Sequence, residues 1–459
     1  MAPTDNNYDA VILSHGLPSL LSSLNCLSKK MKILILDRNP EHKMKDREIS
    51  LYPYELPIFG LTNSEYAEAF KIKIGIKDFK DFFWDIEDPL GVIFANNRFD
   101  YYKPYIKDEI RREFPDCADN FIGFIDEIIQ IEQKIIFLKT HGWTDKLKFI
   151  LKNPVMAYKL MGTDVSFLYD KHKLPLKIRS ILASILFVCS GVHKKRFPSL
   201  EAISILSSVL YGISVPKDNI YSFRSHLIRT LSKNADNEQV KDLVDIKRKS
   251  GRFNITIGSD KRLVNSKLVI TDNDHIKNVF VKKMFELKND YSYNVLYPYS
   301  LYIKIPSDAV PKSMNRWLIY IDADKSQLLN YDNVYAIRTF VEDDNAVIRI
   351  SSFMGYGNFN IDNSIHREKA LKMYQILKRI IPSIETFDPE IYPDFNSDEF
   401  GPELYKSLSN VEQGDVVYTG RPVKIKGVKL PRGFIACGRE KKPYLGFEGL
   451  MKHSIKELN

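Results

Sequence analysis

The chain is short of the residues that usually announce a site. Its four cysteines, Cys26, Cys117, Cys189 and Cys437, form no CxxC pair, which excludes a disulfide scaffold and a cysteine zinc knuckle and leaves reduced thiols, with Cys26 and Cys189 buried among apolar neighbours. The nine histidines never fall at HxxxH or HExxH spacing, so no metal site is expected. There is no Walker loop and no GxSxG elbow, which removes two large classes of hydrolase. Long apolar runs are missing as well. The longest, SILASILFVCSG from Ser180, is too short to span a bilayer. The opening MAPTDNNYDA has no charged-then-apolar signal pattern, so a cytoplasmic protein is expected, or one peripheral to the cytoplasmic face of a membrane.

What is present is a globular composition. Apolar residues make up 44% and charged residues 27% of 459 positions, enough to bury a large core over two or three domains or one discontinuous fold. The net charge of +9 suits an anionic partner. The 67 basic and 58 acidic residues are interspersed, however, and form no basic arm, so no nucleic-acid partner is expected.

The first forty residues read as a strand–helix–strand unit. Ala10 to Leu13 is an uninterrupted apolar run, as in a strand buried on both faces of a parallel sheet. Leu17, Leu20, Leu21, Leu24 and Leu27 then recur at helical spacing, and Ile33 to Leu36 forms a second apolar run ending at Asp37. An acid at that point, about twenty residues past a glycine turn, bonds the ribose hydroxyls of a dinucleotide. The turn itself is short of glycine. The pattern GxGxxG is here Ser14-His15-Gly16-Leu17-Pro18-Ser19. Gly16 allows close backbone approach to a pyrophosphate, whereas Ser14 crowds the tight turn and Ser19 the helix–strand packing. Pro18, in the first helical turn, removes no needed hydrogen bond.

Several longer stretches resemble the phytoene-desaturase-like branch of the FAD-dependent amine oxidase superfamily, whose relatives include carotenoid isomerases, retinol saturases and, more distantly, Rab GDP-dissociation inhibitors and escort proteins. Asp88 to Ile128 is similar to the family's hairpin, helix, Phe-Pro step and second helix, and Asp164 to Gly191 to its two-helix stretch, followed by LYGISVP from Leu210. Val244 to Asp272 resembles the strand meander that returns the chain to the flavin domain, and Pro431 to Ile455 the closing strand–turn–helix. LDRNP from Leu36 and HGLP from His15 look most like the inhibitors. The resemblance implies an α/β fold: a discontinuous FAD/NAD(P)-binding, Rossmann-like domain from residues 1–52, 215–280 and 411–459, and a mixed α+β substrate domain from 53–214 and 281–410.

FAD is the implied cofactor, on a degenerate motif. Its contacts are expected at Ser14, Gly16, Ser19, Asp37 and Arg38, and near the C-terminus at Gly438, Arg439, Gly446 and Gly449. The family's Gly-Gly pair after the ribose acid is replaced by EHKMKDREIS from Glu41, the glycine pair expected before the helix in Lys217 to Lys233 is missing, and Arg439 stands where an acid follows glycine. Arg439 either neutralises a diphosphate or fills space that a cofactor once used. Gly446 and Gly449 remain at the mouth of a predicted helix whose N-terminus can face an anion.

No catalytic acid, base or nucleophile stands out. Hydride chemistry on a flavin needs none, so three functions stay open. The first is an FAD-dependent oxidoreductase desaturating, saturating or isomerising a long apolar isoprenoid, polyene or lipid. The second is a catalytically inactive descendant that binds a lipid or a lipidated protein, as the inhibitors do. The third is an anion-binding scaffold. The basic, apolar stretch 145–162, broken by Pro154, reads either as a lid or membrane-interface helix pair or as an ordinary helix pair with a solvated face. Phe82 to Trp84 and Tyr101-Tyr102 are tunnel-lining or plain core aromatics.

Overall fold

The computed structural model describes residues 6–14, 17–37, 56–60, 79–140, 162–193, 196–216, 220–240, 243–258, 261–271, 295–322, 331–342, 344–355, 363–397, 400, 417–419 and 432–436. Along the chain come β1 (Asn7–Ser14), α1 (Leu17–Ser28), β2 (Ile33–Asp37), β3 (Ile58–Phe59), β4 (Phe83–Asp88), β5 (Leu90–Phe94) and β6 (Asn97–Tyr101). A helical stretch follows: α2 (Ile106–Glu113), α3 (Ala118–Thr140), α4 (Ser166–Lys171), α5 (Leu176–Ser190), the short β7 (Val192–His193) and α6 (Ser199–Val209). Next are β8 (Ile213–Pro216), α7 (Ile220–Ser232), β9 (Asp236–Gln239), β10 (Leu243–Lys249), β11 (Arg252–Ile257) and β12 (Arg262–Thr271). The last part holds β13 (Val295–Pro306), β14 (Trp317–Ile321), β15 (Val334–Glu342), β16 (Asn345–Gly355), α8 (Asn363–Ile380), β17 (Glu390–Tyr392), β18 (Val417–Thr419) and β19 (Phe434–Ala436).

The first sheet runs β10-β11-β12-β1-β2-β9, with β19 also paired to β12. The pairings β12–β1–β2–β9 and β12–β19 are parallel, while β10–β11–β12 is an antiparallel meander. Beginning, middle and end of the chain therefore meet in one sheet, as the Rossmann-like reading expects. One face of it, through Ala10, Ile12, Ile33, Ile35 and Ile270, buries Leu20 and Leu24 of α1 and Leu227 and Leu231 of α7. The other collects Val11, Leu13, Leu34, Leu36, Phe253 and Val269. Burial on both faces is why β1 and β2 read as continuous apolar runs.

The second sheet runs β6-β5-β14-β15-β16-β13-β18-β7, with β17 beside β13. Helices α3, α5 and α6 cover one face, where Phe121, Ile185 and Leu206 meet Leu90, Val92 and Ile319. Helix α8 covers the other, where Met373 and Leu377 meet Leu301, Leu318 and Ile337. Strand β18, from the C-terminal part of the chain, pairs with β13 and β7 of this second sheet, because β13 is long enough to take β17 at one end and β18 at the other.

A small third sheet joins β3, β8 and β4. Gly212, with φ +103°, leads into β8, and a Cβ there would stand 2.4 Å from Glu87 Cα. Only glycine fits that approach. The hairpin, helix, Phe-Pro step and second helix expected over residues 88–128 form as β5–β6, α2, Phe114-Pro115 and α3, and the expected meander forms as β10–β12. Phe83 and Tyr101 are plain core. Segment 145–160, most of the expected lid, lies outside the described residues.

Lys369 ties α8 to the second sheet. Its Nζ lies 3.4 Å from the Phe353 carbonyl and 3.8 Å from Asp332. Burial pulls its pKa down to about 8, with Asp332 opposing. Below about pH 8 the amine is charged in both the folded and unfolded chain, and the folded state bears the burial cost. From there up to the ordinary lysine value only the unfolded chain keeps the proton, so stability rises with pH, by about 2 kcal/mol after allowance for residual solvation. Urea midpoints at successive pH values should show this rise, and Lys369→Met should flatten it. Parallel curves for the two proteins would sink this assignment.

Candidate functional site

The parallel strands of the first sheet end together. Ser14 closes β1 opposite Asp37, which closes β2, and Asp37 is in turn opposite Gln239 at the end of β9. On the other side Thr271 is opposite Leu13, and Ala436 is opposite Thr271. β1 thus stands between β2, the next strand along the chain, and β12, more than two hundred residues later. The chain leaves β1 through α1 toward β2, on the side away from β12, so the strand order changes sense between β1 and β12, the kind of switch point at which open α/β sheets bind ligands.

Helix α1 begins at Leu17, two residues after β1 ends. Its first-turn N–H groups have no partner within the helix, so the turn is suited to an anion. Leu20 and Leu24 are buried and tie the helix to the sheet. Ser19, where the motif would have its third glycine, is wholly buried. Its carbonyl accepts a hydrogen bond from Ser23 Oγ at 2.5 Å. The crowding expected at Ser19 therefore does not break the helix–sheet packing: the helix lies against β1 and β12 with the serine enclosed.

Among the expected cofactor contacts the structure sets Ser14 opposite Asp37 and buries Ser19 within α1. Gly16, Arg38, Gly438, Arg439, Gly446 and Gly449 lie outside the described residues. The strand that leads to Gly438 and Arg439 is held firmly. Val269 donates its N–H to the Gly433 carbonyl at 2.8 Å, and Phe434 to Ala436 pair with Val269 to Thr271.

These residues meet FAD's requirements in part. Asp37, the acid expected to meet a ribose, closes β2 in register with Ser14 and Gln239. The pyrophosphate half rests on Gly16, which lies outside the described residues, while the sequence has serine at position 14 of the tight turn and a buried Ser19 where helix and sheet pack. Two of the motif's three glycines are thus replaced, and the match to that half departs from the usual one.

The opposite end of the same sheet is a fastening. Tyr8 donates its hydroxyl hydrogen bond to Asp236 at 2.9 Å, and burial, with Asp236, pushes the phenol up to about 12. Arg262 pairs with Glu238.

Sequence reasoning missed Arg338 and Arg349. They are opposite each other on β15 and β16 and almost wholly buried, at 2% and 0% exposure. The Arg338 guanidinium lies 4.3 Å from the Phe340 ring centroid and 5.3 Å from that of Trp317. The signal was a single arginine inside an otherwise apolar strand, AIRTF and VIRIS, which alternation alone reads as a solvated position. Two facing guanidiniums repel, and burial is tolerable only with compensating partners.

No family model matches the sequence, and no curated protein matches it. Solved structures do. The Rab GDI of Plasmodium falciparum aligns over 98% of this chain and 96% of its own at 13% identity, with a TM-score of 0.54. An oxidoreductase from Methanosarcina mazei aligns over 97% and 99% at 13% identity and 0.56. A putrescine oxidase variant redesigned in cofactor binding aligns over 98% of each chain at 10% identity and 0.57. At such identities the likeness establishes the fold: a Rossmann-like domain with a second mixed domain, shared by oxidoreductases and a Rab GDI.

Proposed function

We propose that this is a non-catalytic binding protein on a flavoprotein fold, which uses its second, mixed domain to hold a lipid or a lipidated protein. The observation that carries the reading is the glycine-poor turn at the switch point. Ser14 stands at the strand end opposite Asp37, where the motif has the glycine of its tight turn, and Ser19 is enclosed where it has the glycine of its helix–sheet packing, so two of the three positions that shape a pyrophosphate turn bear side chains. The Rab GDI likeness over nearly the whole of both chains supports a binding role on this architecture. Residence in the cytoplasm, peripheral to a membrane, belongs to the same proposal. Among the described residues no helix is long and apolar enough to cross a membrane.

A second reading keeps Asp37 in its ribose-binding role. An FAD-dependent oxidoreductase of the desaturase, saturase or isomerase type would take a long apolar isoprenoid, polyene or lipid, and the flavin itself would supply hydride transfer. Here this chain's residues would bind and orient the cofactor through Asp37, the α1 N-terminus and the backbone at Ser14.

The two readings separate on one spectrum. Purified protein is incubated with excess FAD, desalted and scanned from about 300 to 550 nm. We expect less than about a tenth of an equivalent of flavin to be retained, and saturable binding of a dansyl-labelled geranylgeranyl peptide. A near-stoichiometric flavin band would overturn the non-catalytic reading.

A further inference from the structure

Part of the chain's excess positive charge is gathered at the end of the first sheet remote from the candidate site. Lys29, Lys30 and Lys32 are exposed in and beside the turn between α1 and β2. At the same level Lys267 Nζ lies 2.9 Å from Asp9 Oδ1, and Asp9 Oδ2 accepts the Lys32 backbone N–H at 3.1 Å. Those two bonds, with the charges of Lys267 and Arg252, hold the Asp9 carboxyl below its usual range. Arg252 reaches Asn7 Oδ1 at 3.4 Å, and Lys249 is directly opposite Arg252 on β10. The β10–β11 turn between them, Ser250-Gly251, has φ of 50° and 79°, a tight hairpin tip that sets both cations at the surface.

Strand alternation sorts these residues. Ile246, Phe253, Ile255 and Val264 face the core, while Lys249, Arg252 and Leu263 are exposed, the leucine at 44%. From β2 to β10 the cations span four strand spacings, about 19 Å. Neighbouring members are within about one screening length at physiological salt. Asp9 and Asp236, the latter bonded to the Tyr8 hydroxyl, are the carboxylates in their midst. Asp245 is paired to Lys247, and Glu238 to Arg262.

We propose that this lysine-rich face at the N-terminal end of the parallel sheet docks the protein on an anionic phospholipid surface. Its chemistry favours headgroups over nucleic acid. Five of the seven cations, counting Arg248 beside Lys249, are lysines, compact point charges without the bidentate fork that reads phosphates and bases. The nearby Tyr8 ring is covered by Lys32 Nζ at 4.9 Å, so it gives no base-stacking platform. The exposed Leu263 on the meander adds an apolar contact of the kind that accompanies cations at a membrane interface. The face lies at the opposite strand ends from Ser14 and Asp37, so the proposal stands whether the protein holds a lipid or a flavin.

The test is co-sedimentation of the full chain with phosphatidylcholine vesicles, with and without about 30% phosphatidylserine, at about 50 and 300 mM KCl. Binding should require phosphatidylserine and weaken at least about tenfold at the higher salt. The triple variant Lys29→Glu/Lys30→Glu/Lys249→Glu should partition at least about tenfold less. A control with the same net charge, Lys134→Glu/Lys173→Glu/Lys312→Glu, should change less than about threefold. Far-ultraviolet dichroism shows that each variant is folded, and the salt response of the unmodified chain is an independent reading. Equal losses in both variants, equal binding to neutral vesicles, or tighter binding to a DNA duplex than to vesicles at the same salt would each overturn the proposal.

Discussion

Replacing Gly433 by alanine is expected to lower the unfolding free energy by about 2–4 kcal/mol and to free the C-terminal strand. Gly433 has φ +91°, and a Cβ there would stand 2.4 Å from the Lys267 carbonyl oxygen and 3.3 Å from the Phe253 ring. A backbone oxygen in a paired strand cannot step aside as a flexible side chain does, so steric strain adds to the conformational cost. The residue's own carbonyl accepts the Val269 N–H. Any shift that relieves the clash therefore loosens β19 from β12, and with it the approach to Gly438 and Arg439. Urea midpoints measure the stability loss, and hydrogen exchange at Val269 reports the strand. An unchanged midpoint with Val269 still protected would show that β19 does not depend on this approach.

Trp317→Ala should cost about 3–5 kcal/mol, the range for a large aromatic removed from a closed core. Trp317 is 1% exposed at the start of β14, between Leu90 of β5 and Arg338 of β15. Its loss opens a cavity between the sheet and the helical layer and removes an aromatic face from a buried guanidinium 5.3 Å away. Trp317→Phe keeps part of the volume and a π-face, and should cost less than half as much. Circular dichroism in urea gives both values. Equal losses for the two variants would mean that shape at this position matters more than either volume or ring.

Much of this architecture was legible because its strands are buried on both faces. β1 and β2 are runs of four apolar residues that nothing but a parallel interior position requires, and α1 shows its stripe in Leu20 and Leu24. The meander was expected only from the resemblance of Val244 to Asp272; its first turn forms at Ser250-Gly251. Asp37 was read correctly as the acid closing β2, since strand ends follow from the length of the apolar run. Arg338 and Arg349 were not legible. A lone arginine in a strand looks solvated until the layer above it is known, and that layer comes from helices a hundred and more residues earlier. The pairing of β18 was not legible either. Three residues carry no period, and only hydrogen bonds to β13 and β7 assign them.

The interleaving of the first sheet has a consequence for synthesis. At about 5–20 residues per second, β1 and β2 leave the ribosome tens of seconds before β12 can pair with β1, and β19 completes the edge only near the end of translation. During that interval the βαβ unit presents a bare apolar strand edge, Ala10 to Leu13, to whatever is nearby. Newly made chains of this protein are thus expected to engage chaperones early and to leave them late. Truncation before Arg262, the first residue of β12, should abolish release of folded chain.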